Sequence, residues 1–222
     1  MVAVVICAAG SSKRMGGVKK EYLSLQTINT HTVLGSVVRA FSAVPSVNVI
    51  AIAIPENDEE TARAALPQEF LSASNPKLIF VNGGQTRQAS VYNALCALEQ
   101  CNPAFVLIHD GARPWVSTAL IQNIIEAAKE HGAVIPVLSL TETPKETDGG
   151  FITHHPKRAN ICLAQTPQGF KFHEILQAHK KALQTNEEFT DDAEVWGKFC
   201  GKVAVIQGEA ENRKITFQGD MI

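Results

Sequence analysis

Val2-Ala-Val-Val-Ile-Cys-Ala-Ala-Gly10-Ser-Ser-Lys-Arg14-Met-Gly-Gly-Val-Lys-Lys20-Glu-Tyr-Leu23 decides how the rest of the chain is read. From Val2 to Ala9 every residue is apolar, and many are β-branched. A run that short, closed by Gly10, reads as a strand buried on both faces. The small residues Gly10, Ser11 and Ser12 follow, which let a backbone approach a ligand closely. Lys13, Arg14, Lys19 and Lys20, with Gly16 and Gly17, add the cations of an anion cradle. A buried strand feeding such a loop points to a nucleotide phosphate site at the carboxyl edge of a parallel sheet. The glycine spacing fits neither Gly-x-x-x-x-Gly-Lys-Ser/Thr nor Gly-x-Gly-x-x-Gly. A Gly-rich turn with solvated lysines therefore stays open as the plainer reading.

Outward from this stretch, strand and helix patterns alternate. Apolar runs over 47–54, 77–81, 104–108 and 133–138 read as strands. Helical patterns cover 32–44, 59–66, 87–98 and, capped by Ser117, 117–131. The alternation predicts an α/β fold: a Rossmann-like, mostly parallel sheet with helices on both faces. From 139 to 163 no helical period exists. Asp148-Gly149-Gly150 between β-prone segments signals a hairpin, so 139–163 is expected as a projecting β-arm. Gln165-Thr-Pro-Gln-Gly169 reads as a tight connection back to the body. A helix over 172–183, a second capped by Thr190 and opened by Asp191 and Asp192, and a strand over 203–207 complete one domain spanning 1–222.

The 222 residues suit one large domain. A net charge of −2 leaves no basic surface for nucleic acid, so an anion site must be local. The N-terminus has no basic n-region, and its apolar run is too short for a signal peptide or a membrane span. A cytoplasmic protein without membrane contact is expected. Cys7, Cys96, Cys101, Cys162 and Cys200 form no Cys-x-x-Cys pair and read as reduced thiols, with Cys7 and Cys96 as small core residues.

Four loops, 9–20, 82–87, 109–114 and 208–214, follow strand ends and are expected to gather on one sheet edge. They carry Arg14 and Lys20, Arg87 and Arg113, and Arg213 and Lys214, and the third loop also carries Asp110 directly after a buried strand. A carboxylate directly after a buried strand can hold Mg²⁺ alongside phosphate oxygens. Cations facing one acid suit phosphoryl or nucleotidyl transfer, where positioning and charge neutralisation do most of the catalysis. Taken alone, Asp110 and Arg113 read more readily as a structural ion pair. His109 reads as a packed, hydrogen-bonded histidine. His154 and His155 are adjacent on a strand, point to opposite faces and have no cysteine or carboxylate cluster beside them, so they are not read as metal ligands.

These residues together resemble the 2-C-methyl-D-erythritol 4-phosphate cytidylyltransferase family over nearly the whole chain. Ala8-Ala9-Gly10-x-x-x-Arg14-Met15 with Lys20-Glu21-Tyr22-Leu23 resembles its first signature, Gly83-Gly84-x-x-Arg87-x-x-Ser90-Val91 its second, and His109-Asp110-Gly111-Ala112-Arg113-Pro114 its third. Thr143-x-Lys145, Arg158, Thr166-Pro167-Gln168, Thr190-Asp191-Asp192 and Lys214-Ile215-Thr216 follow in register. The resemblance implies the nucleotide-diphospho-sugar transferase type of fold and a reaction of the non-mevalonate isoprenoid pathway. By that resemblance, CMP would pass from CTP to methylerythritol phosphate by in-line attack, with Mg²⁺ and without a covalent enzyme intermediate. It implies that Arg14 and Lys20 stabilise the triphosphate, and that Arg158 and Lys214 position the attacking phosphate. Ala8, Ala9, Gly10, Gly84, Ser90 and Asp110 would bind the nucleotide, with Asp110 also at the metal. Arg113, Thr143, Lys145, Thr166 and Thr190 would bind the polyol phosphate. It further implies a homodimer in which the arm completes the partner's site.

Three departures stand out. Gly111 replaces a usual alanine and is expected to be tolerated. Gln85 replaces a usual acid. The family also continues into a final helix past Gly219-Asp220-Met221-Ile222, so weaker support is expected for Lys214. Two other readings share part of the pattern: a ribitol 5-phosphate cytidylyltransferase of the same fold, and a non-catalytic nucleotide-binding regulator. The Ala8-Ala9-Gly10 opening and Ala112 lean against the first, and the retained cation sets against the second.

Overall fold

In the computed structural model, which describes residues 1–12, 15–25, 32–72, 76–185 and 187–221, β1 (Val2–Cys7) lies inside the sheet. It runs parallel to β2 (Val47–Ile54) on one side and β4 (Phe105–Asp110) on the other. Its side chains alternate between two cores. Val2, Val4, Ile6 and the following Ala8 pack in one cluster, with Leu34, Val37 and Phe41 of α1 (Val33–Ser42) and Leu120 and Ile124 of α5 (Thr118–His131). Ala3 and Val5 pack in the other, with Val91 and Leu95 of α4 (Arg87–Leu98), Ile175 of α6 (Phe172–Ala182) and Val195 of α7 (Asp192–Phe199). A strand with both faces covered carries no polar alternation, which is why Val2–Ala9 reads as a continuous apolar run. Phe41, Phe170 and Phe172 are fully buried, and each contributes about 1.5–3 kcal/mol of apolar burial.

The remaining elements are α2 (Glu59–Ala64), α3 (Gln68–Ser72), β3 (Lys77–Asn82), β5 (Ala133–Ser139), β6 (Glu146–Asp148), β7 (Phe151–His154), β8 (Cys162–Ala164), β9 (Gln168–Lys171) and β10 (Ala204–Gln207). The main sheet has the order β10-β5-β9-β4-β1-β2-β3, with β8 also paired to β5. Thr32, Thr86 and Ser117 cap α1, α4 and α5, each hydroxyl accepting a backbone N–H of the first turn.

Two expectations need correction. The segment 165–169 is not only a connection: its end begins β9, which enters the middle of the sheet antiparallel to both β4 and β5. Only four residues long and opened by Gln168-Gly169, it has neither the length nor the β-branched residues that announce a strand. Glycine is required there, since a Cβ on Gly169 would lie 2.7 Å from Ile124 Cγ2. The cap of α7 is Asp191, which accepts the Glu194 N–H, while Thr190 donates its own N–H and hydroxyl to the Glu194 carboxylate.

The hairpin forms where Asp148-Gly149-Gly150 places it. β6 and β7 pair antiparallel, and Gly149 and Gly150 both take positive φ. Among the described residues no helix is long and apolar enough to cross a membrane.

Candidate active site

A cavity of about 530 Å³ opens at the carboxyl ends of β1 and β4, where the strand order reverses. Ligands collect at such switch points in open α/β sheets. All four loops singled out in the sequence contribute to its lining: Ala9 to Ser12 with Lys20, Gly84 to Arg87, Asp110 with Ala112, and Lys214. Arg14 falls outside the described residues.

The first two loops are packed tightly together. A Cβ on Gly83 would lie 2.3 Å from Ala9 Cβ and 2.9 Å from Ser90 Oγ, and one on Gly84 would lie 2.4 Å from Ala89 Cβ. Ser90 fixes the turn: its hydroxyl donates to Thr86 O at 2.9 Å and accepts the Gly84 N–H at 3.0 Å. Gly111 is similarly close, with a Cβ there 3.0 Å from the Cys7 carbonyl. The two adjacent lysines of the first loop differ in their surroundings. Lys20 lines the cavity. Lys19 turns inward, donating to the carbonyls of Ala8 and, at 2.6 Å, Gly10, and burial lowers its pKa. Cys7, expected only as core, packs against the core yet also reaches the cavity floor, and burial pushes its thiol up to about 12.

Asp110 is the electrostatic centre. Lys214 Nζ stands 2.9 Å and Arg113 Nε 3.3 Å from its Oδ2, with Arg87 Nε 3.7 Å from its Oδ1. Burial would raise its pKa, but Lys214, Arg87 and Arg113 outweigh burial and hold the carboxyl well below the ordinary range. The Asp110 N–H donates to the Thr166 hydroxyl at 3.1 Å. His109 is fully buried at the end of β4, as the packed reading expects, and burial brings its pKa down to about 4.

Residues 208–214 are stitched to 165–166. Gln165 Nε2 donates to the Glu209 carbonyl at 2.8 Å, and Asn212 Nδ2 donates to the Thr166 carbonyl at 2.7 Å. Past Lys214, the Ile215 N–H donates to Ala112 O at 2.9 Å, and the Thr216 and Phe217 N–H groups donate to Asp220 Oδ2. Asp220 and the buried Ile215 thus hold the backbone that follows Lys214.

Sequence reasoning missed a buried polar chain behind the cavity. Arg87 Nη2 donates to Asp192 Oδ2 at 2.7 Å, and Asp192 Oδ1 stands 3.1 Å from His179 Nε2. Asp192 and His179 are both fully buried. The Asp191-Asp192 pair reads as two acids at one helix start, but the first caps the helix and the second turns into the core. Gln165 and Asn212 carry no sequence signal at all.

Several expected residues do not line this cavity. Ala8 and Thr166 are buried beside it. Arg113 reaches Asp110 while its Nη1 donates to Asn212 O at 2.8 Å. Arg213 stacks on Trp115, 4.5 Å from its ring centroid, and lines a separate cavity. On the arm, Arg158 Nη1 donates to Thr141 O, and Lys145 Nζ lies 2.9 Å from His155 Nδ1. Thr143, Lys145, Arg158 and Thr190 stay outside the cavity of their own chain.

The donor set fits Mg²⁺ brought in with phosphates. Among the described residues no three His, Cys, Asp or Glu side chains cluster as a protein-only metal site. Mg²⁺ commonly needs only one or two carboxylates when substrate phosphates supply further oxygens, and Asp110 offers one at the cavity wall.

The profile of the family described as IspD, 2-C-methyl-D-erythritol 4-phosphate cytidylyltransferase, matches residues 2–222. The chain belongs to this family. It is 41% identical over 224 residues to a bifunctional enzyme IspD/IspF of a Bradyrhizobium species, covering 99% of this chain and 54% of that protein. The bifunctional enzyme IspD/IspF of Rhodospirillum rubrum is 40% identical, with 99% and 55% covered. The chain therefore spans about half the length of these curated relatives. Among solved family structures, the 4-diphosphocytidyl-2C-methyl-D-erythritol synthase of Anaerococcus prevotii aligns with TM-score 0.85 at 28% identity, over 100% of this chain and 92% of that one. The 2-C-methyl-D-erythritol 4-phosphate cytidylyltransferase of Francisella tularensis aligns with TM-score 0.81 at 30% identity, over 99% and 96%.

Proposed function

We propose that this protein transfers CMP from CTP to 2-C-methyl-D-erythritol 4-phosphate, releasing pyrophosphate. The observation that carries the reading is Asp110, set at the carboxyl end of a central strand and faced by Lys214, Arg113 and Arg87 beside a loop that presents Lys20. Family membership supports the choice of both substrates.

In this reading Gly84 and the turn fixed by Ser90 receive the cytosine, and the 9–12 backbone and Lys20 receive the triphosphate, with Arg14 from the same loop. An oxygen of the acceptor phosphate bonds to the α-phosphorus of CTP as the bond from that phosphorus to the bridging oxygen breaks. The electron pair leaves with pyrophosphate, whose growing charge Lys20 and Arg14 stabilise. Lys214 leaves Asp110 to hold the incoming phosphate. Mg²⁺, held by Asp110 and phosphate oxygens, would neutralise the triphosphate. A water-poor, preorganised site makes fixed cations most effective where charge develops.

The arm enters as a shared element of a homodimer. Phe151 is 77% exposed and Ile152 55%, which leaves apolar side chains on both faces of the arm strand for a second copy to cover. Thr143, Lys145 and Arg158 would then complete the second copy's acceptor pocket, together with its own Arg113, Thr166 and Thr190. The cytoplasm suits such a protein, with its reduced thiols.

Incubation of the protein with CTP, Mg²⁺ and either 2-C-methyl-D-erythritol 4-phosphate or ribitol 5-phosphate tests the reading by pyrophosphate release. Faster release with ribitol 5-phosphate would overturn it. Light scattering tests the dimer, and a fully active monomer would remove the shared site.

A further inference from the structure

We propose that Asp192 is a positioning residue for the transfer reaction: it pins Arg87 beside Asp110, so that the change of partners when a substrate phosphate arrives falls on Lys214. This rests on the nucleotidyl-transfer reading above.

The three cations facing Asp110 are held differently. Arg113 is anchored at its far end by the Asn212 carbonyl, 2.8 Å from Nη1. Arg87 is anchored by Asp192 Oδ2, 2.7 Å from Nη2, and keeps Nε 3.7 Å from Asp110. Lys214 has Asp110 as its ionic partner among the described residues, and its side chain is the most exposed of the three. An incoming phosphate oxygen competes with Asp110 for all of them. Lys214 can answer at little cost, because its charge sits on a flexible stem and exchanges one anion for another. Arg87 cannot. Its departure would leave Asp192, a carboxylate with no solvent exposure, facing only the buried His179 among the described residues.

Asp192 is itself held rigidly. The preceding Asp191 caps α7, and Gln168 of β9 bonds that cap at both ends of its amide: Nε2 donates to Asp191 Oδ2 at 2.9 Å, and Oε1 accepts the Ala193 N–H at 3.0 Å. A sheet strand therefore fixes a helix terminus, the helix terminus fixes a carboxylate, and the carboxylate fixes a guanidinium on α4. With Arg87 held, Asp110 keeps a compensating charge and an orientation after Lys214 leaves. An ordinary core ion pair would stabilise α7 against α4 without influencing which cation meets the phosphate.

The test compares the unmodified protein with Asp192→Asn, by calorimetric titration of pyrophosphate without metal and by steady-state kinetics with both substrates. Freed from its carboxylate, Arg87 is expected to turn to the anion, tightening pyrophosphate binding about fivefold. Loss of the fixed geometry is expected to lower kcat about tenfold or more, with a smaller change in the KM for CTP. Unchanged pyrophosphate affinity, or weaker binding with a parallel loss of kcat/KM, overturns the proposal. Should Asp192→Asn fail to fold, nitrogen NMR on the unmodified protein decides it. The Arg87 Nε–H signal should hold its position as pyrophosphate is added while the Lys214 Nζ signal moves, and a moving Arg87 signal overturns it. Absence of turnover on either polyol phosphate would count against the proposed reaction, and the pyrophosphate measurements would still decide this inference.

Discussion

Thr166 Oγ1 stands 3.0 Å from His109 Nδ1, and the same hydroxyl accepts the Asp110 N–H at 3.1 Å. Because the hydroxyl accepts from Asp110, its own proton is available to the imidazole, which makes Nδ1 an acceptor. The other ring nitrogen, Nε2, faces the Arg113 carbonyl at 3.2 Å, a group that can only accept. The network therefore assigns a neutral His109 with its proton on Nε2. One buried threonine thus sets both the end of β4 and the state of the histidine beside Asp110.

Thr166→Val keeps the side-chain outline and removes the hydroxyl. The Asp110 N–H and His109 Nδ1 are then both left without their partner in the core. A loss of about 1–3 kcal/mol in unfolding free energy is expected, since a buried polar group left unpaired costs its full desolvation. Urea denaturation measures it. Turnover should fall as well, because Asp110 loses the bond that fixes its backbone. An unchanged denaturation midpoint would remove Thr166 from this role.

His109 makes stability depend on mildly acidic pH. Its folded pKa of about 4 lies below the ordinary 6.5, and burial is the main cause. Between those values the unfolded chain binds more protons, so stability falls as pH drops. Nothing is lost above pH 6.5, and about 3 kcal/mol is lost by pH 4. Thermal melts of the metal-free protein from pH 7 to 4 should show this decline, and His109→Gln should flatten it. Parallel declines in the two proteins would refute the assignment.

Gly83→Ala tests the closeness of the two nucleotide loops. The new methyl would lie 2.3 Å from Ala9 Cβ and 2.9 Å from Ser90 Oγ, and backbone must move to admit it. Overpacking of this kind costs about 1–3 kcal/mol. The displaced groups border the proposed cytosine pocket, so the KM for CTP should rise more than kcat falls. Gly197→Ala in α7 is the control, because a Cβ there meets nothing within 4 Å and the residue lies away from the cavity. Equal effects from the two substitutions would show that loop closeness is not what matters.

How far these features could be read from sequence depends on the kind of signal each residue leaves. β1 declared itself because burial on both faces demands an unbroken apolar run, and the loop cations followed from their places after strand ends. Asp110 and Lys214 were legible for the same reason, although they stand 104 residues apart and meet only in the fold. β9 was not, since Gln168 and Gly169 serve an α7 cap and a close helix packing rather than strand propensity. Asp192 was hidden because adjacent helix-start aspartates look alike in sequence, and only the packing of α7 against α6, with Arg87 of α4 alongside, sends one inward. The arm residues present a third case. Their side chains lie outside the cavity of their own chain, so their expected role depends on a second copy.

Lys214→Met and Lys20→Met separate two uses of a cation. Each should lower kcat about a hundredfold or more, the scale found when a positioned charge is removed from a transition state. Only the first also removes the nearest partner of Asp110. That carboxyl is buried, which raises its pKa, but Lys214, Arg87 and Arg113 hold it below the ordinary 3.8. A depressed folded pKa stabilises the protein above the unfolded value, and the contribution is lost as pH falls through the folded one. With Lys214 gone the folded pKa rises, so less stabilisation is present at neutral pH and acid unfolding begins at a higher pH. Lys20→Met should leave the acid limb closer to that of the unmodified protein. Circular dichroism from pH 6 to 2 on both variants distinguishes them. Acid transitions displaced equally would mean that Lys214 is not the principal counter-ion of Asp110.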